Sequence, residues 1–195
     1  MEKHPARKYP TVGACGLDCG LCPRYYTVGT SRCPGCCGPD FWQKHPGSPI
    51  LTCCVRRKGL EFCSDCSDFP CSKFKDVDKY DSFLTHQKMV SNLNFIKKYG
   101  IKKFIDQQNK RIKLLETMIN NFNEGRSRSF YCIATTLLPM LSLERTLNDA
   151  NQKIKTDDVS SDDIKIKAKI LREILNETAM KDGVDLKLRK PTKKI

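Results

Sequence analysis

A chain of 195 residues with a formal net charge of +13 is long enough for one ordinary domain or two small units, and too short for a large multidomain enzyme. Twelve cysteines far exceed ordinary usage, and eleven of them lie between Cys15 and Cys71. No stretch approaches the eighteen apolar residues of a membrane-spanning helix, and the opening MEKHPARKYPTVGAC carries charges and two prolines where a secretion signal needs an apolar run.

These features predict a cytoplasmic protein. In a reducing compartment, closely spaced cysteines are metal ligands more often than disulfides. The charge is uneven: residues 1–71 hold nine Lys and Arg against six Asp and Glu, and the remainder holds twenty-six against sixteen. Two divalent ions, each held by four thiolates, would bring the amino-terminal part close to neutral, which leaves the basic character to the rest of the chain.

The cysteines come first in chain order, as CGLDCGLC at 15–22, CPGCC at 33–37, CC at 53–54, and CSDC with FPC between 63 and 71. Cys19 with Cys22, Cys33 with Cys36, and Cys63 with Cys66 each enclose two residues. This spacing lets both sulfurs of a pair reach one ion from a tight turn whose amides donate to the thiolates. Gly20, Gly35 and Gly38 stand where such turns call for positive φ. Ten residues separate Cys22 from Cys33, so these two knuckles can close one site, and Cys54, Cys63, Cys66 and Cys71 can close a second. The pairing is not unique, because Cys15, Cys37 and Cys53 also lie within reach.

Closed four-thiolate sites have no open coordination position, so they staple a fold rather than catalyse, and two zinc ions are the expected cofactors. The alternative is an iron-sulfur cluster for electron transfer or redox sensing, because Cys15, Cys19 and Cys22 have the CxxxCxxC spacing that ligates a four-iron cluster. Radical chemistry is excluded because the motif leads into more cysteines and then amphipathic helices instead of a strand and helix barrel. Of the three histidines, only His45 lies near the cysteines and could replace a ligand.

Read together, CGLDCGLCP, CPGC and CVRRKGLEFCSDCSDFPC resemble the cysteine-rich family catalogued as domain of unknown function 3795, over residues 12–75. The resemblance implies that Cys15, Cys19, Cys22, Cys33, Cys36, Cys54, Cys63, Cys66 and Cys71 occupy the family's recurrent cysteine positions, and that Cys37 and Cys53 are local additions. Relatives often carry a further cysteine where this chain has Ser48, Pro49 and Ile50. Metal binding is implied, and no activity with it.

Beyond the cysteines, Met89, Leu93 and Ile96 recur at helical spacing between Ser82 and Tyr99, with Gly100 as a terminator. A second helix has Ile101, Ile105, Gln108, Ile112, Leu115, Ile119 and Phe122 on one stripe and Lys102, Lys103, Lys110 and Lys113 opposite. GRSRSFYCIATTLLP at 125–139 reads as a polar turn feeding a buried helix that ends at Pro139, with Cys132 as a core thiol. Ser127 or Ser129 would cap it, and Arg126 and Arg128 could hold an anion. The stretch from Asn148 to Asp163 reads as a linker, Ser161–Met180 as a last helix, and Val184, Leu186 and Leu188 as a short strand before a basic tail ending RKPTKKI.

The expected architecture is therefore α+β, mainly α. A small zinc-ribbon or treble-clef-like metal domain occupies residues 1–75, a helical region 76–150, and a linker, helix, strand and tail 151–195. The expected function is that of a non-catalytic zinc-binding module whose basic helices and tail, with aromatics such as Tyr25, Tyr26, Phe41 and Trp42, bind RNA, the ribosome or an acidic protein.

Overall fold

The computed structural model describes residues 7–45 and 47–190, so His4 and the final residues of the basic tail lie outside the described residues. Helix is the regular structure of this chain. Two short helices, α1 (Phe41–Lys44) and α2 (Pro49–Leu51), lie among the cysteines, and α2 runs directly into a π-helical turn over Thr52–Arg57. Five longer helices come next: α3 (Met89–Tyr99), α4 (Ile101–Phe122), α5 (Arg128–Leu137), α6 (Met140–Thr156) and α7 (Ile164–Lys181). None of the described helices is long and apolar enough to cross a membrane.

No strand occurs among the described residues, which overturns the α+β expectation. The cysteine-rich segment is built from tight turns and single 3-10 turns at Cys19–Leu21, Cys63–Asp65 and Ser72–Phe74, with no hairpin of the zinc-ribbon or treble-clef kind. Its intervals between cysteines are short and rich in Gly, Pro and Asp, leaving no alternating apolar run to pair. The expected strand at Val184–Leu188 is irregular chain, because alternation without a neighbouring strand has no ladder to join. Leu186 is nevertheless buried, and Arg189 is tied at both main-chain groups to Asp81.

The chain divides into two compact units. The first takes the described residues to Gln108 and those from Leu188 onward, and the second takes Asn109–Lys187. In the first, Val12, Ala14, Phe41, Leu51 and Phe62 of the cysteine-rich segment share one core with Met89, Leu93 and Ile96 of α3 and Phe104 of α4. Gly16 makes that packing possible. Its φ of +86° is left-handed, and a Cβ there would collide with the Met89 carbonyl oxygen and come within 2.8 Å of Leu93 Cγ.

A buried carboxylate fastens the same loop. Asp18 accepts from Asn92 Nδ2 at 2.8 Å and from Gln108 Nε2 at 3.1 Å, while those amides also donate to the Gly16 and Thr11 carbonyls. Gln108, a polar residue in an otherwise apolar stripe, is thereby explained. Within the stripe Leu115 and Phe122 are fully buried, and Phe104 and Met118 join them.

In the second unit, Tyr131, Cys132, Leu138, Leu143, Leu171 and Leu175 are fully buried. Arg111 donates to the Thr135 and Leu138 carbonyls, satisfying groups that the end of α5 leaves unpaired. Thr146, in the first half of α6, meets Thr178 near the end of α7 at 3.0 Å, the register of an antiparallel pair. Residues 148–156, expected as linker, belong to α6, whose Leu147 and Ala150 supply its buried face. The last helix starts at Ile164 because Asp163 caps it, its side chain accepting from the Ile166 amide at 3.2 Å.

Candidate metal centre

The expected ligands fall into two neighbouring groups within the first unit. In one, the Cys19 thiol donates to Cys36, Cys37 donates to the same sulfur, and Cys15 and Cys22 lie within electrostatic range of Cys19. Cys22 is in turn near Cys33. Cys36 also accepts the Ala14 amide at 3.4 Å and sits beside the guanidinium of Arg7.

These donors hold the Cys36 thiol well below its ordinary range. The bonds from Cys19 and Cys37 do most, Arg7 assists, and burial works in the opposite direction. Burial, followed by the neighbouring Cys36, pushes Cys15 up to about 12. Cys36 is thus the sulfur of this group whose surroundings most favour the thiolate.

Arg7 is a neighbour of these sulfurs that the sequence does not advertise. Its side chain is 2% exposed, it donates to the carbonyls of Val12 at 2.7 Å and Glu61 at 2.6 Å, and it pairs with the Glu61 carboxylate at 3.2 Å. A buried cation here counters the negative charge that clustered thiolates accumulate.

The second group comprises Cys54, Cys63, Cys66 and Cys71. Cys63 donates to Cys54, which lowers the Cys54 thiol and raises that of Cys63, and Cys71 lies within electrostatic range of Cys63. All four line a pocket of about 240 Å³ walled by Phe69 and Phe74. Cys66 Sγ accepts from Lys58 Nζ at 3.0 Å, and the same ammonium donates to Asp68 at 2.7 Å.

The turn glycines act differently from expectation. Gly35 has a φ of +86°, but the positive angles near the second knuckle fall on Cys37 and Asp40, both at +57°, and Gly20 and Gly38 are not among the residues with positive φ. Gly38 is required instead by space, since a Cβ there would lie 2.5 Å from the Pro34 carbonyl oxygen. Cys53 borders the pocket and Cys37 is buried. His45 stacks on Phe41 with ring centroids 4.5 Å apart.

The donors fit a soft divalent ion in kind, being thiols already hydrogen-bonded sulfur to sulfur at Cys19–Cys36 and Cys54–Cys63. Their convergence is incomplete. Among the described residues, no three Cys, His, Asp or Glu side chains stand close enough to hold an ion. Residues 11–76 match the profile of the family described as Protein of unknown function (DUF3795). The matched segment holds both groups of thiols. No curated protein and no solved structure matches the chain.

The expected anion contacts divide. Lys102, Lys103, Lys110, Lys113 and Arg126 are exposed, and Arg128 is half-buried. Ser127 stands at the start of α5 but leaves its amides uncapped, because its hydroxyl donates to Glu124 at 3.0 Å and accepts from Arg172 at 3.3 Å. Several of the expected aromatics serve the fold: Phe41 is buried, Arg56 covers Trp42 at 3.9 Å, and the Tyr26 hydroxyl donates to the Gly20 carbonyl at 2.9 Å.

A different basic and aromatic surface stands out where α3 meets α4. Lys98 and Lys103 lie 5.0 and 5.9 Å from the Tyr99 ring centre, with Lys97 and Lys102 also exposed. Tyr99 itself is 46% exposed, and among the described residues none of these four lysines has an acidic partner.

Proposed function

We propose that the chain is a non-catalytic zinc-binding module of the cytoplasm that attaches to RNA through the basic corner of α3 and α4, with two zinc ions held by the two groups of cysteines. The observation that carries the metal reading is the convergence of the Cys19 and Cys37 thiols and the buried Arg7 guanidinium on the Cys36 sulfur. Starting from the Cys19–Cys36 and Cys54–Cys63 contacts, the remaining thiols of each group would have to move inward to close around an ion, and binding would release the thiol protons. Closed sites of this kind serve as staples, since four protein sulfurs leave no coordination position for a substrate.

Lys97, Lys98, Lys102 and Lys103 supply phosphate contacts, and Tyr99 offers an exposed ring on which a base can stack. Metal analysis of protein purified without oxygen tests the first half, with about two zinc ions per chain expected. Titration of labelled single-stranded RNA at rising salt tests the second. Replacing the four lysines by alanine is expected to reduce the slope of log affinity against log salt by up to about 3, at about 0.7 per phosphate contact. An unchanged slope refutes the assigned surface; absence of binding at low salt, with retention of an acidic polypeptide instead, moves the partner to protein.

The iron-sulfur reading keeps one specific support, the nearness of Cys15 and Cys22 to the Cys19–Cys36 pair. It requires brown anaerobic protein whose visible absorption bleaches on reduction, and colourless protein containing zinc rules it out.

A further inference from the structure

Among the described residues, the aromatic rings left exposed are Tyr80, Phe83 and Tyr99, and they stand at the two ends of α3. Tyr99 has Lys98 and Lys103 beside it, and Phe83 has a cation of its own, the Arg24 guanidinium 5.0 Å from its ring centre. The loop that carries Arg24 is closed by the Cys33 amide, which donates to the Arg24 carbonyl at 2.9 Å, and its Arg32 lies 5.3 Å from the Tyr25 ring centre. Among the described residues neither arginine has an acidic partner. Between the two ends α3 turns a polar face outward. Lys88, just ahead of it, and Ser91, Asn94 and Lys98 are exposed opposite the buried Met89, Leu93 and Ile96. All of these residues belong to the first unit.

Resting on the reading of the α3–α4 corner as an RNA surface, we infer that Arg24 and Phe83 form a second seat for the same strand, which runs along the exposed face of α3. Phe83 is 50% exposed although Arg24 covers part of it, so the ring keeps room for a base, and stacking of this kind accepts any base. The guanidinium, held flat against the ring, turns its N–H edge to a phosphate. Ser91 and Asn94 offer hydrogen bonds to the sugars and phosphates that pass between the seats. The occupant is unpaired RNA, because bases within a duplex stack on one another and cannot lie on a protein ring. The 11 residues of α3 span about 16 Å, the length of about five nucleotides at a rise of about 3.4 Å. A strand of that length or more reaches both seats, and a much shorter one occupies only the corner, where the lysines are densest.

The test is titration of labelled oligouridylates of about three and about ten nucleotides with the full-length protein at low salt, lengths on either side of this span. The longer strand is expected to bind more tightly by about tenfold or more. Phe83→Ala and Arg24→Gln should each weaken the longer strand about fivefold or more and leave the shorter within about twofold. Retained binding of the short strand then shows that each variant is folded. Equal losses for the two lengths, or no loss for either, overturn the inference and leave the corner as a seat on its own. If the unaltered protein binds neither length, the RNA reading itself is refuted, so the two failures are distinguishable.

Discussion

Replacing Gly16 by alanine tests how the cysteine-rich loop is seated on α3. The residue has a φ of +86°, which costs a residue with a Cβ roughly 1–2 kcal/mol. The added Cβ would also collide with the Met89 carbonyl oxygen and come within 2.8 Å of Leu93 Cγ, in a core where overpacking costs about 1–3 kcal/mol. The backbone oxygen belongs to the first residue of α3, so relief requires the loop and helix to separate. The combined loss is about 2–5 kcal/mol, a large part of the roughly 5–15 kcal/mol that ordinarily stabilises a fold. Gly29 supplies the control, because its φ is +90° but nothing lies within 4 Å of an added Cβ, so Gly29→Ala should cost only about 1–2 kcal/mol. Denaturant unfolding, with both midpoints and slopes recorded, measures the two losses. Equal losses at the two positions, or a Gly16→Ala loss below about 1 kcal/mol, would refute the close seating of this loop.

On the proposed zinc reading, removing the buried cation by Arg7→Met should shift metal loss on acidification to higher pH, since Cys36 would bind its proton more readily; metal retention measured across a pH series checks the direction. Asp81 offers a second pH test. Burial would raise its carboxyl, but the hydrogen bonds from the Arg189 side chain and from the His86 and Arg189 amides outweigh this and leave it at about 2. A depressed carboxyl stabilises the fold above its ordinary range and loses that contribution as the pH falls towards 2. The size is about 1–2 kcal/mol after allowance for solvent screening, because the Arg189 side chain is 34% exposed. Carbon NMR titration of the Asp81 carboxyl should find its midpoint near 2, and a midpoint close to 4 would contradict the clasp with Arg189.

The long helices were legible because apolar spacing records the face that must be buried. α4 was readable from Ile101 to Phe122, and its odd Gln108 marked the position that reaches Asp18. Counting isoleucines nevertheless placed the stripe slightly off the buried face, where Phe104 and Met118 point inward and Ile112 and Ile119 are only half-buried. Residues 148–156 carry few apolar side chains and resembled a linker, yet Leu147 and Ala150 give that part of α6 enough to pack. The terminal alternation was misleading because a strand is a property of a pair, and one segment cannot declare its partner.

At the candidate centre, the cysteine spacing indicated which thiols become neighbours, since Cys19 does meet Cys36 and Cys54 does meet Cys63. Arg7 left no such signal. It meets Glu61, 54 positions away, and contacts of that range arise only from the completed fold. Lys58 was equally silent, because one lysine within VRRKGL looks the same whether it faces solvent or a sulfur.

The Asp18 clasp bears on how the protein should be dissected. A fragment cut at the limits of the family match, residues 11–76, would carry both groups of thiols but lose the Asn92 and Gln108 amides that donate to the Asp18 carboxylate. It would also take Met89, Leu93, Ile96 and Phe104 out of the core they share with Val12, Ala14 and Phe41. Such a fragment is expected to be sticky and slow to settle whatever metal is supplied, and a useful minimal piece must extend through Gln108.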